Sequence, residues 1–396
     1  MRYLLGLDDT DSSRGYCTTY LAYRIAVDLR PVLTVVPYPR LVRLNPNIPF
    51  KTRGNAALCL QLEAKDGGRA FEAIRGKVEE LSDVRGGANT GAVLLDDPAK
   101  ARLFEPLYLS ALRGVVSPHR ARRLVNEAGA RALELGNGMG VVGAASSLGF
   151  DPLSDHTYEL IAYRRQEKWG TSRAVESSSV KEMDLEMFPH VYNNYDYQKR
   201  KLLIAPHGPD PVFVGVRGDS PTSVLRAFRM LRYDEELEGH MIYLSNQHTD
   251  AHLSEKLDWK VYSSGWFQGT VKDVWVGEGG HSYITVEERG VLYHVAAYEP
   301  TGDLTRTTRL LKKGDIVRAF GGIRRGTSLH PKVLNLEKIE VISSKGGLPA
   351  GFYVSSPRAN RHLTKPLIRY GREDRSSQRT EDGWLGCPLI AQQARA

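Results

Sequence analysis

The chain opens on a short apolar run, Tyr3-Leu4-Leu5-Gly6-Leu7, which stops at Asp8-Asp9-Thr10-Asp11-Ser12 and gives way to a helical pattern over residues 18–29. Five apolar residues between polar flanks make a strand. In the following stretch Leu21, Ile25 and Leu29 recur at spacing four, and Ala22 and Ala26 widen the same stripe. A buried strand, a polar turn and an amphipathic helix in that order predict α/β wiring, with the acidic turn at the edge of a sheet. Strand patterns at 33–36 and 56–63 continue it, so residues 1–128 read as one α/β domain.

A helical pattern over 122–135 leads into Gly136-Asn137-Gly138-Met139-Gly140-Val141-Val142-Gly143. Strand patterns at 157–163, 201–204, 211–217 and 241–244, with a helix over 223–230, make 129–258 an α+β unit. From 262 to 342 five short strand signals follow at regular spacing, which suggests an OB-type barrel, a fold that grips oligonucleotides. Residues 343–396 read as a basic tail.

Lysine and arginine number 54 against 46 acids, a net charge of +8, which points to a polyanionic partner, nucleic acid first. An apolar share of 41% with 25% charged residues is that of a folding chain and excludes a disordered one. The three cysteines, Cys17, Cys59 and Cys387, form no CxxC pair, so neither a zinc ribbon nor a disulfide framework is expected. No apolar stretch reaches the roughly 18 residues of a membrane span, and a cytoplasmic protein is expected.

Asp8, Asp9 and Asp11 form a platform of hard oxygens suited to Mg²⁺, which bridges nucleotide phosphates. The same residues also favour an Asx turn. Thr18 and Thr19 begin a helix, where free amides stabilise a phosphate. Thr18 there is either an N-cap or a hydroxyl able to accept a phosphoryl group. Arg40, Arg43, Lys51, Arg53 and Asn55 gather phosphate-gripping groups in one proline-punctuated stretch. Gly138 to Gly143 spells GxGxxG, with Glu159 near the distance of a ribose-binding acid. A helical pattern before it, where a dinucleotide fingerprint needs a strand, argues against that reading. His156, His248 and His252 lack a tight three-ligand spacing and read as hydrogen-bonding groups.

Taken together, GLDDTDS with CTTYLA, PRLVRLNPNIPFKTRGNAAL, DHTYELIAYR with WGTSR, NNYD, PHGPDPVFVGVRG, SNQHTDAHL, AYEPT, LNLEKI and RHLTKPL occur in the order found in one family. The chain resembles the archaeal tRNA 2-agmatinylcytidine synthetases, and the resemblance spans nearly all of it. It implies an ATP-dependent ligase that joins agmatine to the wobble cytidine in the anticodon of the AUA-reading isoleucine tRNA. The implied folds are an N-terminal kinase-like α/β domain, a ferredoxin-like domain and an OB domain. The implied partners are that tRNA, through anticodon loop and acceptor region, with ATP and Mg²⁺ as cofactors and agmatine as co-substrate. Thr18 then falls on the family's phosphorylatable threonine and Asp8, Asp9 and Asp11 on its acidic motif.

The family's zinc ribbon has no counterpart, since residues 343–352 hold no cysteine or metal-spaced histidine, and no zinc is expected. Agmatine is dicationic, so Asp155, Glu159, Asp196 and Asp210 are its candidate partners. Trp266, Phe267, Trp275 and Tyr283, with Arg361, His362 and Lys365 of the tail, are candidates for RNA contact. Two rival readings are a non-catalytic OB-fold tRNA-binding protein with a merely structural acidic turn, and a small-molecule kinase with an added barrel.

Overall fold

The computed structural model describes residues 1–51, 54–197, 200–326, 331–346 and 348–355. The described residues form two compact units: those within 1–44, 50–111 and 116–249 make the first, and those within 45–49, 112–115 and 250–355 the second. In chain order the first holds β1 (Arg2–Asp8), α1 (Thr18–Asp28), β2 (Leu33–Val35), β3 (Arg40–Arg43), β4 (Ala56–Ala64), α2 (Gly67–Glu80) and β5 (Gly91–Leu95). Then come α3 (Glu105–Arg113), α4 (Pro118–Ala128), β6 (Arg131–Glu134), α5 (Val141–Leu148), β7 (Thr157–Arg164), α6 (Ser177–Met187), β8 (Val191–Tyr192) and β9 (Tyr195–Asp196). β10 (Lys201–Leu202), β11 (Val212–Gly218), α7 (Pro221–Met230) and β12 (Leu237–Ser245) complete it.

A ten-stranded sheet in the order β6-β5-β1-β4-β3-β12-β7-β11-β8, with β2 also on β4, organises this unit. Its pairs are antiparallel except β3 with β12. Strand period two explains how β1 works. Tyr3, Leu5 and Leu7 point to one face and join a core with Leu21 and Ile25 of α1 and Phe71 and Ile74 of α2. Burying each such side chain is worth about 1.5–3 kcal/mol. Leu4, Gly6 and Asp8 point to the other face, where α5 lies so close that a Cβ on Gly6 would stand 2.0 Å from the Ala144 carbonyl oxygen. The segment from β7 to β12 runs β7-α6-β8, then the separate β9–β10 pair, then β11-α7-β12, and its four strands in the large sheet lie in the order β12-β7-β11-β8.

The helical pattern expected over 122–135 is realised only in part. α4 stops at Ala128, Gly129 takes a left-handed C-cap with φ 69°, and β6 follows as an edge strand on β5. The glycine-rich passage therefore does follow a strand and open a helix, contrary to the sequence reading. β6 is antiparallel to its neighbour, so the parallel βαβ unit of a dinucleotide fold is still not formed.

The second unit holds β13 (Ser264–Val276), β14 (Ser282–Glu288), β15 (Val291–Ala297), α8 (Asp303–Leu310), β16 (Ile316–Arg324), β17 (Val333–Ser343) and β18 (Tyr353–Ser355). Antiparallel pairing runs β15-β14-β13-β16-β17, and a parallel β15–β17 contact closes a five-stranded barrel around Phe267, Val271, Val286, Val317 and Leu336. β18 adds to the free side of β17. β17 and β18 pair antiparallel, Lys338 with Ser355 and Glu340 with Tyr353. Buried Asp315 accepts hydrogen bonds from the Lys312 and Lys345 amides at 2.8 and 2.6 Å, and Leu348 and Phe352 enter the core. Among the described residues no helix is long and apolar enough to cross a membrane.

Candidate active site

β1 ends at Asp8, whose position on the α5 face brings its carboxylate against Gly143; a Cβ there would meet Asp8 Oδ2 at 1.8 Å. Asp9 then takes a left-handed φ of 57°, which turns the chain sharply off the sheet edge. Burial and the neighbouring Asp9 and Asp11 charges push the Asp8 carboxyl well above its ordinary range. Burial and Asp11 likewise raise Asp9 to about 6, against hydrogen bonds from Asn89 that favour the anion. The three acids are thus one electrostatic cluster, each disfavouring the charge of the next. Among the described residues no group of three acidic, histidine or cysteine side chains converges as a closed metal cage. Mg²⁺ commonly takes only one or two protein carboxylates and keeps waters and phosphate oxygens as its other ligands. Asp8 and Asp9 fit that pattern.

Thr10, fully buried, sets its hydroxyl 3.1 Å from the Thr18 hydroxyl at the start of α1. The candidate acceptor and the acidic turn are therefore joined through one hydrogen bond. α1 has Cys17 at its N-cap and no side-chain cap, and Leu21 makes the first intrahelical bond, to the Cys17 carbonyl. Its opening amides stay available to a phosphate.

Two loops that sequence reading left aside or discounted frame this turn. In the segment 83–91 the Thr90 hydroxyl donates to the Asp9 carbonyl at 2.9 Å, and the Asp83 amide donates to the Thr10 carbonyl at 3.1 Å. Asp83 also accepts from Ser12 and, through both oxygens, from Arg14, which holds its carboxyl below the ordinary range. Asn89 links this loop to the glycine passage, accepting from the Asn137 amide at 3.0 Å and the Gly140 amide at 2.7 Å. The signal was present as Gly86-Gly87 followed by Asn89-Thr90-Gly91.

The remaining candidates separate. Arg43 reaches Gln247 at 2.8 Å and Glu159 at 3.5 Å, and Glu159 also binds Arg217 at 3.0 Å. Burial lowers the Arg43 pKa, and the Cys17 thiol is near enough to act on its charge. Arg40 donates to the Phe150 carbonyl, and Lys51 and Asn55 are half-buried, while Arg53 lies outside the described residues. Glu159 and Asp210 already serve the chain's own guanidinium groups, Asp210 that of Arg173 at 3.4 Å. Asp155 is exposed at the foot of β7, and buried Asp196 sits on the β9–β10 hairpin. Asp184 on α6, not foreseen, is buried and accepts from Asn194 at 2.9 Å and Tyr197 at 2.8 Å, so it fixes the turn that carries Asp196.

In the barrel unit Phe267 is fully buried, which corrects its reading as an RNA contact: a ring inside the core has no face to offer a base. Trp266 donates to the Ser254 carbonyl and lies under the Arg318 guanidinium, 5.0 Å from its ring centre. Trp275 is 39% exposed and stacks on Tyr283 at 5.5 Å with planes 15° apart. Buried His252 pairs with Glu337, His248 packs edge-on against Tyr192, and His156 bonds the Ser154 carbonyl. Arg361, His362 and Lys365 lie outside the described residues.

A family model described as the TiaS TCKD domain matches residues 4–137, and one described as the TiaS FLD domain matches residues 138–252. An isoleucine-tRNA 2-agmatinylcytidine synthetase TiaS of Cenarchaeum symbiosum is 36% identical over 97% of this chain and 96% of its own. The chain belongs to the TiaS family. The fold agrees over nearly full length with a solved complex of TiaS with an isoleucine tRNA and ATP, at TM-score 0.86 and 31% identity, covering 95% of this chain and 99% of that one. A complex of TiaS with an isoleucine tRNA, AMPCPP and agmatine agrees at TM-score 0.84 and 31% identity, with the same two coverages. The acidic turn, Thr18 and both flanking loops lie within the stretches matched by the TiaS models.

Proposed function

We propose that this chain is an isoleucine-tRNA 2-agmatinylcytidine synthetase, which uses ATP to join agmatine to C2 of the wobble cytidine so that AUA codons are read. The observation that carries the reading is its agreement, at TM-score 0.84 over 95% of its length, with a relative solved with an isoleucine tRNA, an ATP analogue and agmatine. The first half of the first unit is the kinase-like domain in this reading. The strand order β12-β7-β11-β8 supports a ferredoxin-like domain after it, since a βαββαβ chain of that type orders its strands fourth, first, third, second.

The C2 carbonyl of cytosine is a poor electrophile because its oxygen is a poor leaving group. Phosphorylation of that oxygen by ATP makes phosphate the leaving group, and the agmatine amine attacks C2, loses a proton and takes its place. Asp8 and Asp9 would hold Mg²⁺, which would supply charge neutralisation for the phosphates. The chain's own groups orient the donor: the amides opening α1 and the 83–91 loop face a triphosphate, with Arg40, Arg43, Lys51, Arg53 and Asn55 as further contacts. Thr18 serves as a second phosphoryl acceptor, its proton passing to a carboxylate of the acidic turn. Asp155, Glu159, Asp196 and Asp210 are the acids for the dication, and of these Glu159 and Asp210 would have to exchange an arginine of the chain for it.

Mass analysis of the anticodon nucleoside after incubation with the AUA-reading isoleucine tRNA, ATP and agmatine tests the proposal. A cytidine heavier by agmatine less water is the expected product. Unmodified cytidine together with intact tRNA binding would instead favour the non-catalytic RNA-binding reading.

A further inference from the structure

Tyr163 on β7 and Tyr243 on β12 are fully buried, and nothing in the proposed chemistry uses them. Their hydroxyls lie 2.9 and 2.8 Å from one acceptor, the carbonyl oxygen of Thr19, and 2.7 Å from each other. Two hydroxyl protons serve these three contacts, so the triangle always holds two hydrogen bonds, at least one of them to Thr19. Burial pushes both phenols well above their ordinary pKa, which keeps them neutral donors.

The position of Thr19 gives the triangle its meaning. A helix start is ordinarily fixed by an N-cap side chain that bonds its free amides. α1 has no such cap and no acidic residue in its first turn. It is held instead from behind, through a carbonyl, by two phenols from sheet strands. Fixing the turn by its carbonyl leaves the amides free for an anion. It also polarises the amide between Thr19 and Tyr20, one of those at the open end.

We infer that Tyr163 and Tyr243 are positioning residues that fix the first turn of α1 so that the Thr18 hydroxyl and the adjoining amides address a phosphoryl group. The inference rests on the reading of Thr18 as phosphoryl acceptor. It also ties the reactive threonine to β7 and β12, the strands that bear Glu159 and lead into Asn246 and Gln247.

The test is the rate of Thr18 phosphorylation, followed by phosphopeptide mass spectrometry on the full chain with tRNA at saturating ATP. Tyr163→Phe and Tyr243→Phe keep the packed rings and remove one hydroxyl each. Each is expected to slow phosphorylation about tenfold, less than the roughly hundredfold cost of an ångström-scale misplacement. The ATP concentration giving half-maximal rate should stay within about twofold, since the donor's own contacts are untouched. Tyr23→Phe is the control: that hydroxyl donates to the Glu238 carbonyl at 2.9 Å and the ring stacks on Tyr163, but the hydroxyl makes no hydrogen bond to Thr19.

Parental rates per folded molecule in both single variants overturn the inference. So does an equal loss in Tyr23→Phe, which reports packing alone. An unphosphorylated Thr18 in the parent chain overturns the acceptor reading and this role with it. If a single variant fails to melt cooperatively, the other single variant decides.

Discussion

At the scale of one residue, Asp9 contributes to the pH response alongside Asp8, whose carboxyl is raised further. The Asp9 carboxyl is raised to about 6, where a free aspartate titrates near 3.9. A folded pKa above the unfolded one means the folded chain holds the proton longer. The ionised form then costs stability at pH 7, and that cost disappears as pH falls through 6 toward 4. Asp9→Asn should therefore stabilise the chain at pH 7 by about 1–2 kcal/mol, after allowance for partial exposure, and by nothing measurable near pH 4. Denaturant titrations at the two pH values check this. Activity should move the other way, rising through pH 6 as the carboxylate forms, with Mg²⁺ shifting the rise to lower pH by favouring the anion. Thr18→Ala should abolish phosphate incorporation into the chain while the melting temperature stays within a few degrees, because the substitution removes one hydrogen bond worth about 1 kcal/mol. Residue type and spacing were enough to put the acids at the end of β1 and Thr18 at the start of α1, whereas the acceptor role of Thr18 came from the family resemblance. The bond from Thr18 to Thr10 and the tyrosine pair behind Thr19 were not legible, because each joins side chains through packing that no local pattern encodes.

At the scale of elements, the glycines of β1, β5 and α5 decide how closely a helix can lie on a sheet. Gly91→Ala would put a Cβ 2.2 Å from the Gly140 carbonyl carbon, and backbone cannot step aside as a side chain can. A loss of several kcal/mol is expected, at least the roughly 1–3 kcal/mol typical of overpacking, read as a lower denaturation midpoint. Gly143→Ala meets the Asp8 carboxylate instead, so it should cost less stability and more activity, and ATP-dependent labelling measured beside the melting curve separates the two. The larger elements were legible: α1, β4, β7 and every strand of the barrel lie where apolar periodicity predicts them. β6 was not, since Arg131-Ala132-Leu133-Glu134 are helix formers placed after a helix. Only pairing with distant β5 makes them a strand, and tertiary context of that kind overrides propensity. The same error concealed the helix-opening role of the glycine passage.

At the scale of the molecule, a chain of net charge +8 acting on RNA should bind through counterion release, so tRNA affinity should fall steeply and log-linearly with salt. That term reports phosphates and is blind to where bases are held. Trp275 supplies the complementary probe, because its ring is part-exposed and backed by Tyr283 in a near-parallel stack, a rigid face on which a base can lie. Trp275→Ala should weaken tRNA binding by about 1–3 kcal/mol, the worth of one stacked base, without altering the slope of affinity against salt. Phe267→Ala is the informative contrast. Its ring lies wholly in the barrel core, so its removal should cost about 3–5 kcal/mol of stability and reduce binding only through the unfolded fraction. Fluorescence titrations at two salt concentrations distinguish the cases. A Trp275→Ala chain that binds tRNA as tightly as the parent would show that this stacked pair completes the barrel's outer surface and holds no base. The net positive charge would then remain as the term that draws the chain to RNA.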